Sequence, residues 1–530
     1  MKITERHFWY GVLFTVLIIS LIINLNVTLK EPLVFGDEGW WASKGEWILH
    51  HLTIPKYNRV FSPSPAFKSF FLEQPLLMFL LSSCFAIGGE TLVKAINPIL
   101  GTLLALVTFL FVRRVYSLRA AVLSAVFLSM IPSFITYEVL LYAEVFAILL
   151  ATTSIYLLYR AMKEDDRRYL FLILSGILSG MAAITEVSSV AMPIVFLGLL
   201  LLYRKGWLKN FLITTIVFII VITPLYGIHN YLMLGNPGLP KEDLIGNFPR
   251  EKVLKKIPEL DVGAPKSPQE LGIGTGATIL KMGIINYIQF AYGLGVFIFA
   301  SIGLSYLLYK RNRKNLMIMY WFFIILVLTF YANAGGRAED AARNMLYTVV
   351  PFAIIAGIGA EKIYEFLKGY GESSGKVVAV IFVFILLCFS LFSIHAKAES
   401  LRPIKEFSPA FFKGCDWIRR NTPSDALLVN LWGHRAEYAC KRDSVYWNAP
   451  GGDTMLLVGN DTSYQIMKDL GVDYVYIQKF SISPGKERVS YPWVFVKYVR
   501  NSNHFKKVYE YPENCMSSNI QDCVVVYKVL

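Results

Sequence analysis

Apolar residues form long runs along the chain, separated by short polar segments. A helix rises about 1.5 Å per residue, so a run of about 20 apolar residues crosses a hydrocarbon core of about 30 Å. The pattern predicts an α-helical polytopic membrane protein with about eleven spanning helices. The predicted spans are residues 8–28, 92–112, 118–136, 142–160, 169–185, 187–203, 207–228, 283–308, 315–332, 345–362 and 376–394.

The flanks of the spans predict the orientation of the chain. The first run is followed by Asn26, Lys30 and Glu31 rather than by a small-residue cleavage site, which indicates a retained span. Cytoplasmic loops carry an excess of Lys and Arg, so the basic side is predicted to be cytoplasmic and to include the N-terminus. The basic clusters on that side are Lys2 and Arg6, Arg113 and Arg114, Arg160 to Arg168, Arg204 to Lys209, and Lys310 to Lys314.

Three segments on the opposite, extracytoplasmic face are longer than simple connections. Residues 30–91 contain short amphipathic stretches that are typical of helices lying in the membrane interface. Residues 229–282 form a long outer loop, and loops of this length usually bind ligands or act as lids. The predicted domains are therefore a transmembrane domain, residues 1–395, and an extracytoplasmic domain, residues 396–530.

The last segment is predicted to be a small soluble α/β domain. Residues 417–421 resemble the end of a helix, and residues 427–432, 473–478 and 524–529 have the composition of strands. Four of the six cysteines lie in this domain, and an even number in an exported domain permits two disulfides. Cys515–Cys523 is the first pairing to expect and Cys415–Cys440 is its complement, while four unpaired thiols are also compatible with the sequence.

Composition and charge exclude nucleic acid as a partner. Charged residues make up 17% of the chain and hydrophobic residues 55%, whereas a soluble domain is about one quarter charged. The net charge of +14 is concentrated in the short cytoplasmic segments, which is the positive-inside bias rather than a nucleic-acid footprint. No internal repeat and no Gly-rich phosphate loop is visible in the sequence.

Charged residues outside the cytoplasmic clusters are candidates for function, because charge near membrane depth is costly. Those on the predicted outer face are Asp37, Glu38, Glu73, Glu138, Glu144, Arg337 and Arg343. Carboxylates can accept a proton or bind a divalent metal, and arginine can bind a phosphate through paired donors. The set predicts transfer of a sugar from a lipid phosphate to an acceptor outside the cytoplasm, where nucleotide sugars are not available.

Simpler roles are compatible with the same residues. Asp37 can cap a helix that begins at Glu38, since Asp is a favoured N-cap. Glu138 and Glu144 can be interfacial side chains that reach the headgroups, and Arg343 can anchor a helix end there. The histidines show no metal-binding spacing, and no Ser-His-Asp arrangement is visible.

Four stretches resemble, in order, motifs of the lipid-phosphate-sugar glycosyltransferases of the GT-C class. The patterns are most similar to those of the dolichyl-phosphate-mannose protein mannosyltransferases and of the aminoarabinose transferase that modifies lipid A. The resemblance covers residues 1–395, and the order of the motifs is more specific than any single one. The stretches are GDEGWWASKGEWIL (Gly36 to Leu49), FLEQPLLMFLLSSCFAIGG (Phe71 to Gly89), YEVLLYAEVFAILLAT (Tyr137 to Thr152) and ARNMLYTVVPFAIIAG (Ala342 to Gly357).

The resemblance implies roles for individual residues. Asp37 would be the catalytic base and Glu38 its neighbour in the site. Glu144 would be the acid of the second outer loop, and Arg343 would face the lipid phosphate. Glu73 would be a metal or substrate ligand. The remaining candidates for substrate binding are Glu138, Arg337, Gln74, Lys56 and Arg59.

Two positions depart from the family pattern. Gln74 stands where the lipid A enzyme has a lysine, so the positive charge that would bind a phosphate at that position is absent. Glu186 stands where many members have a lysine, so that contact is absent or replaced. These departures concern the particular sugar and acceptor rather than the class of enzyme.

The resemblance also implies a fold and a mechanism. The fold is the GT-C membrane scaffold, and the reaction is a single displacement with inversion in which Asp37 takes the acceptor proton while polyprenyl phosphate leaves. The donor would be a hexose or pentose on polyprenyl or dolichyl phosphate, and the acceptor a protein, lipid or glycan. A divalent metal, Mg, Mn or Zn, is compatible with Glu73, although GDEG is not an Asp-x-Asp motif.

Two other functions compete with this one. An oligosaccharyltransferase would share the scaffold, but such enzymes carry a Trp-Trp-Asp motif in the soluble tail, whereas here the Trp pair is Trp40–Trp41 in the first loop. A non-enzymatic carrier or transporter of lipid-linked sugars would tend to show inverted repeats and interrupted helices, and no such symmetry is visible.

Overall fold

The computed structural model shows a mainly helical chain that forms two compact units. The membrane unit comprises Met1–Lys30, Lys94–Gly227 and Val262–Leu401, and the tail unit comprises Glu31–Val93, Ile228–Asp261 and Arg402–Leu530. The structure describes residues 5–33, 38–51, 75–203, 206–224, 275–331, 338–369, 374–405, 408–430, 434–445, 459–483, 486–489, 493–517 and 522–530.

Sixteen described helices precede the tail domain. The first nine are α1 (Glu5–Lys30), α2 (Glu38–His51), α3 (Pro75–Val115), α4 (Leu118–Met130), α5 (Pro132–Val139), α6 (Ala143–Ala161), α7 (Arg168–Thr185), α8 (Met192–Tyr203) and α9 (Trp207–Ile222). The next seven are α10 (Thr275–Met282), α11 (Ile284–Ala291), α12 (Leu294–Tyr309), α13 (Arg313–Phe330), α14 (Ala338–Met345), α15 (Val349–Lys368) and α16 (Ser374–Lys405).

The helices confirm a polytopic membrane protein. Seven described helices are long and apolar enough to cross a membrane, and two bent helix pairs also qualify when each pair is taken as one span. Two further apolar helices, Ser188–Leu202 and Trp207–Ile222, are shorter than this length, so the described residues give seven to nine candidate spans. Each of these segments overlaps one of the predicted spans. Backbone N–H and C=O groups find no hydrogen-bond partner in lipid, so a long apolar run forms a helix, which pairs these groups within the segment.

Two predicted spans are bent rather than continuous. α4 and α5 meet at an angle of 66°, and α11 and α12 meet at 101°. Pro132 is the first residue of α5 and has no N–H to donate to the preceding turn, so the helix restarts there. Gly293 precedes α12 with φ 78°, a conformation that glycine adopts without steric cost.

Glycines allow close helix contacts in the membrane unit. An added Cβ at Gly303 of α12 would lie 1.9 Å from the carbonyl oxygen of Ile355 in α15. One at Gly359 of α15 would lie 2.0 Å from the carbonyl oxygen of Phe299. Small residues at such crossings let the backbones approach, which strengthens van der Waals packing where lipid removes the hydrophobic driving force. α15 consequently lies at the centre of the unit, with all but six of its residues buried.

The tail domain is an α/β structure built on a six-stranded mixed sheet with the order β2-β1-β3-β6-β5, with β4 paired to β3. Its strands are β1 (Leu427–Val429), β2 (Asp443–Val445), β3 (Tyr474–Ser483), β4 (Lys486–Val489), β5 (Phe505–Tyr511) and β6 (Cys523–Val529). Its helices are α17 (Pro409–Asn421), α18 (His434–Cys440), α19 (Asp461–Leu470) and α20 (Trp493–Asn501).

Two apolar cores cover the two faces of this sheet. One core contains Phe411 of α17 with Leu428 and Tyr476 of the sheet, and the other contains Phe495 of α20 with Val475. Successive strand residues point to opposite faces, which explains why neighbouring residues of β1 and β3 contribute to different cores. The result is a three-layer domain with helices on both sides.

The tail contains more strands than the three that the sequence predicts. Those three correspond to β1, β3 and β6. β2 and β4 are short and mostly polar, so they show no apolar pattern, and β5 is an edge strand that exposes Lys506 and Lys507. Both expected disulfides, Cys415–Cys440 and Cys515–Cys523, are present.

Candidate functional site

Glu144 and Arg343, both candidates from the sequence, form an ion pair in the membrane unit. Glu144 lies in the first turn of α6, where the positive end of the helix dipole favours a carboxylate, and its side chain is buried. Arg343 lies in the last turn of α14. Its guanidinium also stands over the ring of Tyr142, with 5.1 Å from Cζ to the ring centroid. The arginine is therefore oriented by a carboxylate and by an aromatic face.

The turn that carries Tyr142 is held by a residue that the sequence analysis missed. The amide nitrogen of Asn97 in α3 donates towards the carbonyl oxygens of Tyr137, Leu140 and Tyr142, at 3.2, 2.6 and 2.9 Å. These carbonyls lie where α5 ends and α6 begins, and one amide group thereby contacts three points of the turn. The signal was a polar residue inside a predicted span. Asn97 thus fixes the turn immediately before Glu144.

α14 is anchored to neighbouring helices of the membrane unit. The amide nitrogen of Asn344 donates to the hydroxyl of Thr275 in α10 at 3.0 Å. The hydroxyl of Tyr287 in α11 donates to the carbonyl oxygen of Ala341 at 3.3 Å. These contacts lie on either side of Arg343 in the sequence, so the position of its backbone is determined by α10 and α11 as well as by Glu144.

Glu138 has different partners from Glu144. It is fully enclosed near the end of α5, and its Oε2 accepts a hydrogen bond of 3.0 Å from the amide of Asn24 in α1. Gly101 of α3 faces it, and an added Cβ there would lie 2.0 Å from Glu138 Oε1. Asn24 was not recognised from the sequence, although it is a polar residue in the first span. The structure thus joins Glu138 to α1 and Glu144 to α14.

The acidic motif of the first outer loop falls in the tail unit. Glu38 is the first residue of α2 and is fully buried. Trp40 and Trp41 follow it, both buried, with stacked rings 5.2 Å apart. Asp37 lies outside the described residues. The other candidate residues outside the described part of the chain are Lys56, Arg59, Glu73, Gln74 and Arg337.

The fold and these contacts can be compared with known proteins. Residues 73–226 match the family model of dolichyl-phosphate-mannose-protein mannosyltransferase. This match contains Glu138 and Glu144 and ends before Arg343. No curated protein matches the chain.

Solved structures of GT-C glycosyltransferases share the fold. The Archaeoglobus fulgidus oligosaccharyltransferase in the apo form has a TM-score of 0.63 at 14% identity, over 95% of this chain and 80% of that one. ArnT from Cupriavidus metallidurans bound to undecaprenyl phosphate has a TM-score of 0.60 at 12% identity, over 97% and 98%. Arabinofuranosyltransferase AftD from Mycobacteria has a TM-score of 0.58 at 13% identity, over 100% and 40%. The chain therefore has the GT-C fold that the sequence predicts.

A structure of the Archaeoglobus enzyme in complex with Zn and sulfate raises the question of a metal. Among the described residues, the one cluster of three potential ligands is Glu510, Cys515 and Cys523, and its cysteines are joined in a disulfide. Glu144 Oε2 is buried without a hydrogen-bond partner among the same residues, but a single carboxylate oxygen does not make a metal site. The described residues alone do not fit a divalent metal.

Proposed function

We propose that the protein is a membrane glycosyltransferase that moves a sugar from a polyprenyl- or dolichyl-phosphate donor to an acceptor on the extracytoplasmic face. The observation that carries the proposal is the ion pair between Glu144 and Arg343. It joins the second-loop acid to the late arginine, the two positions to which the family resemblance assigns acidic and phosphate-facing roles. The GT-C fold and the mannosyltransferase match over residues 73–226 support the same class.

Arg343 is proposed to bind the phosphate of the donor. A guanidinium has five N–H donors in a planar fork, so it can keep a bond to Glu144 and still offer donors to phosphate oxygens. Its side chain is 31% exposed, whereas that of Glu144 is 3% exposed. Glu144 therefore orients the arginine from the buried side and leaves the open side for the ligand.

Asp37 is proposed to be the general base. The acceptor oxygen attacks the anomeric carbon of the sugar while its proton passes to the Asp37 carboxylate. The bond between the anomeric carbon and the phosphate oxygen breaks, and polyprenyl phosphate leaves with both electrons of that bond. One displacement inverts the anomeric configuration. Glu38, adjacent in sequence, is proposed to tune the base.

The remaining sequence candidates are proposed as substrate contacts. They are Glu138, Arg337, Gln74, Lys56 and Arg59, with Glu73 as a substrate or metal ligand.

The oligosaccharyltransferase neighbours favour a second candidate function. One such structure from Archaeoglobus fulgidus contains an inhibitory peptide and a dolichol-phosphate, at a TM-score of 0.61 and 13% identity. Transfer of a complete glycan to a peptide would use the same scaffold and the same kind of lipid donor. The size of the transferred glycan distinguishes the two candidates.

Purified protein in liposomes tests the proposal. Each reaction contains one lipid donor, either a polyprenyl-phosphate hexose, a polyprenyl-phosphate pentose or a lipid-linked oligosaccharide, with peptide, glycan and lipid acceptors. Release of polyprenyl phosphate together with a monosaccharide-bearing, inverted product is the expected result. An oligosaccharide-bearing peptide supports the second candidate. Movement of intact donor between leaflets without product formation contradicts both and indicates a carrier.

A further inference from the structure

The helix that follows the acidic motif is enclosed on most of its surface. α2 begins at Glu38, and its first five residues are all buried. Its centre and end remain largely covered, with Lys44 and Ile48 also buried. A short helix of the first outer loop is thus integrated into the tail unit. The position of Glu38 depends on what holds α2.

One contact of α2 is with the first part of α3. An added Cβ at Gly45 would lie 2.7 Å from the Cβ of Leu81 and 3.2 Å from its carbonyl carbon. The two helix backbones therefore touch at this point, and any larger residue would separate them. This contact fixes the distance between α2 and α3. It also selects the face of α2 that meets α3, but glycine has no side chain and supplies no directional bond that sets the register of the helix.

A second contact supplies that register. The ammonium of Lys44 donates to Glu437 Oε1 of α18 at 3.0 Å, and the two side chains are only 8% and 13% exposed. The hydroxyl of Ser43 lies 3.5 Å from the same carboxylate oxygen. Hydrogen bonds to a charged group are directional and strong when they are shielded from water. Rotation of α2 would break this bond between two buried charged groups, which is costly.

α18 is itself joined to α3 and to α17. The hydroxyl of Tyr438 donates to Glu90 Oε2 of α3 at 2.9 Å, and burial raises the pKa of Tyr438, so the hydroxyl keeps its proton. Cys440, the last residue of α18, is bonded to Cys415 of α17. The guanidinium of Arg442 donates to the carbonyl oxygens of Arg419 and Thr422, at 3.0 and 2.8 Å. α18 is therefore a fixed support for α2.

We infer that Lys44 and Glu437 are positioning residues for sugar transfer, through which the tail domain holds the start of α2 in register. The inference rests on the proposed function of Asp37 and Glu38. Neither Lys44 nor Glu437 contacts the reacting atoms in this scheme. They act by holding the helix whose first residue is Glu38. A displacement of about 1 Å at a reacting group can cost about 100-fold in rate.

The test replaces both Lys44 and Glu437. Removal of one alone would leave the charge of the other buried without this partner and would destabilise the packing of α2 against α18. Lys44→Met with Glu437→Leu keeps volume and burial but removes the directional bond. The expected result is a single-turnover transfer rate lowered about 10- to 100-fold, with an unchanged Kd for the donor lipid and an unchanged Tm. Lys44→Arg keeps the charge and the reach to Glu437, and transfer should return to within about threefold of wild type.

The pair between Lys441 and Glu46 is the matched control. It joins α2 to Lys441, the residue that follows α18, and its side chains are 36% and 30% exposed. Exposed pairs contribute little, so Glu46→Gln should change transfer by less than about threefold.

Three other results overturn the inference or its premise. Normal transfer by the double variant, with Asp37→Asn inactive, removes the positioning role but leaves the proposed function standing. Normal transfer by both removes the proposed function itself. A fall in Tm and in donor binding equal to the fall in transfer reduces the pair to a structural contact.

Discussion

At the scale of single residues, buried polar groups in the spans decide where the candidate carboxylates lie. Glu138 and Glu144 were identifiable from the sequence because acidic residues are rare in apolar runs. Their partners were harder to find, since Asn24 and Asn97 are uncharged and the contacts that they make join helices far apart in the chain. The sequence shows that a polar residue in an apolar run is costly to bury. It does not show which distant residue forms the hydrogen bond that offsets this cost.

Substitution of Gly101 tests the packing around Glu138. The Cβ of alanine would lie 2.0 Å from Glu138 Oε1 and 2.5 Å from its Cγ, so Glu138 must leave its hydrogen bond with Asn24. We expect Gly101→Ala to destabilise the protein by about 1–3 kcal/mol. The measurement is Tm in detergent. Gly11→Ala in α1 is the control, because nothing lies within 4 Å of its Cβ. Equal Tm values for the two variants would show that Gly101 does not pack closely against Glu138.

Substitution of Arg343 tests phosphate recognition. Lysine keeps the charge but lacks the planar fork, so it cannot bond Glu144 and a phosphate in the same geometry. Arg343→Lys should weaken binding of polyprenyl phosphate about tenfold, or about 1.4 kcal/mol. Fluorescence titration with a labelled lipid phosphate gives the Kd. Arg114→Lys, which alters an exposed pair with Glu164, is the control. An unchanged affinity in Arg343→Lys would remove the phosphate role.

At the scale of elements, the positions of the helices along the chain were easier to predict than the bends within them. All the predicted spans coincide with apolar helices or helix pairs, because the length and apolarity of a run determine whether it can cross a bilayer. The bends at Pro132 and Gly293 were not predicted, although both residues are visible in the sequence. The hydropathy of an apolar run does not report a change in the direction of the helix axis. In the tail, the central strands were predicted and the edge strands were not, because edge strands are short or exposed.

The two disulfides of the tail domain should differ in effect. Cys415–Cys440 joins residues 25 apart and holds α18, whereas Cys515–Cys523 joins residues 8 apart near β6. Chain entropy predicts a stabilisation of about 3.5 kcal/mol for the longer loop and about 2.5 kcal/mol for the shorter. We expect the serine pair at 415 and 440 to lower the transfer rate at temperatures where the protein stays folded. The serine pair at 515 and 523 should lower Tm alone. An equal loss of transfer in both variants would show that the loss does not depend on how α18 is held.

At the scale of the whole molecule, the sequence predicted a membrane part and a soluble part, and the structure resolves the chain into two compact units. The first outer loop is where sequence order misleads: residues 31–93 belong to the same unit as residues 402–530. Hydropathy along the chain cannot reveal this, because the contacts between α2 and α18 connect residues nearly 400 positions apart. The orientation of the chain in the membrane stays a prediction from its basic clusters.

Cysteine labelling tests that orientation. In a variant without Cys84 and Cys388, a cysteine at the exposed Asp469 of α19 should react with a membrane-impermeant reagent in intact cells. A cysteine at the exposed Lys314, in a basic cluster, should react only after permeabilisation. The reverse pattern would place the tail domain in the cytoplasm and contradict the extracytoplasmic acceptor.

Single-turnover sugar transfer by Asp37→Asn tests the central claim most directly. Asparagine keeps the size of the side chain and caps a helix nearly as well as aspartate, but it cannot accept the proton. The predicted result is a transfer rate lowered about 10²- to 10⁴-fold with donor-lipid binding retained, and a smaller loss for Glu38→Gln. Near-normal transfer by Asp37→Asn would contradict the account and leave Asp37 as a helix cap.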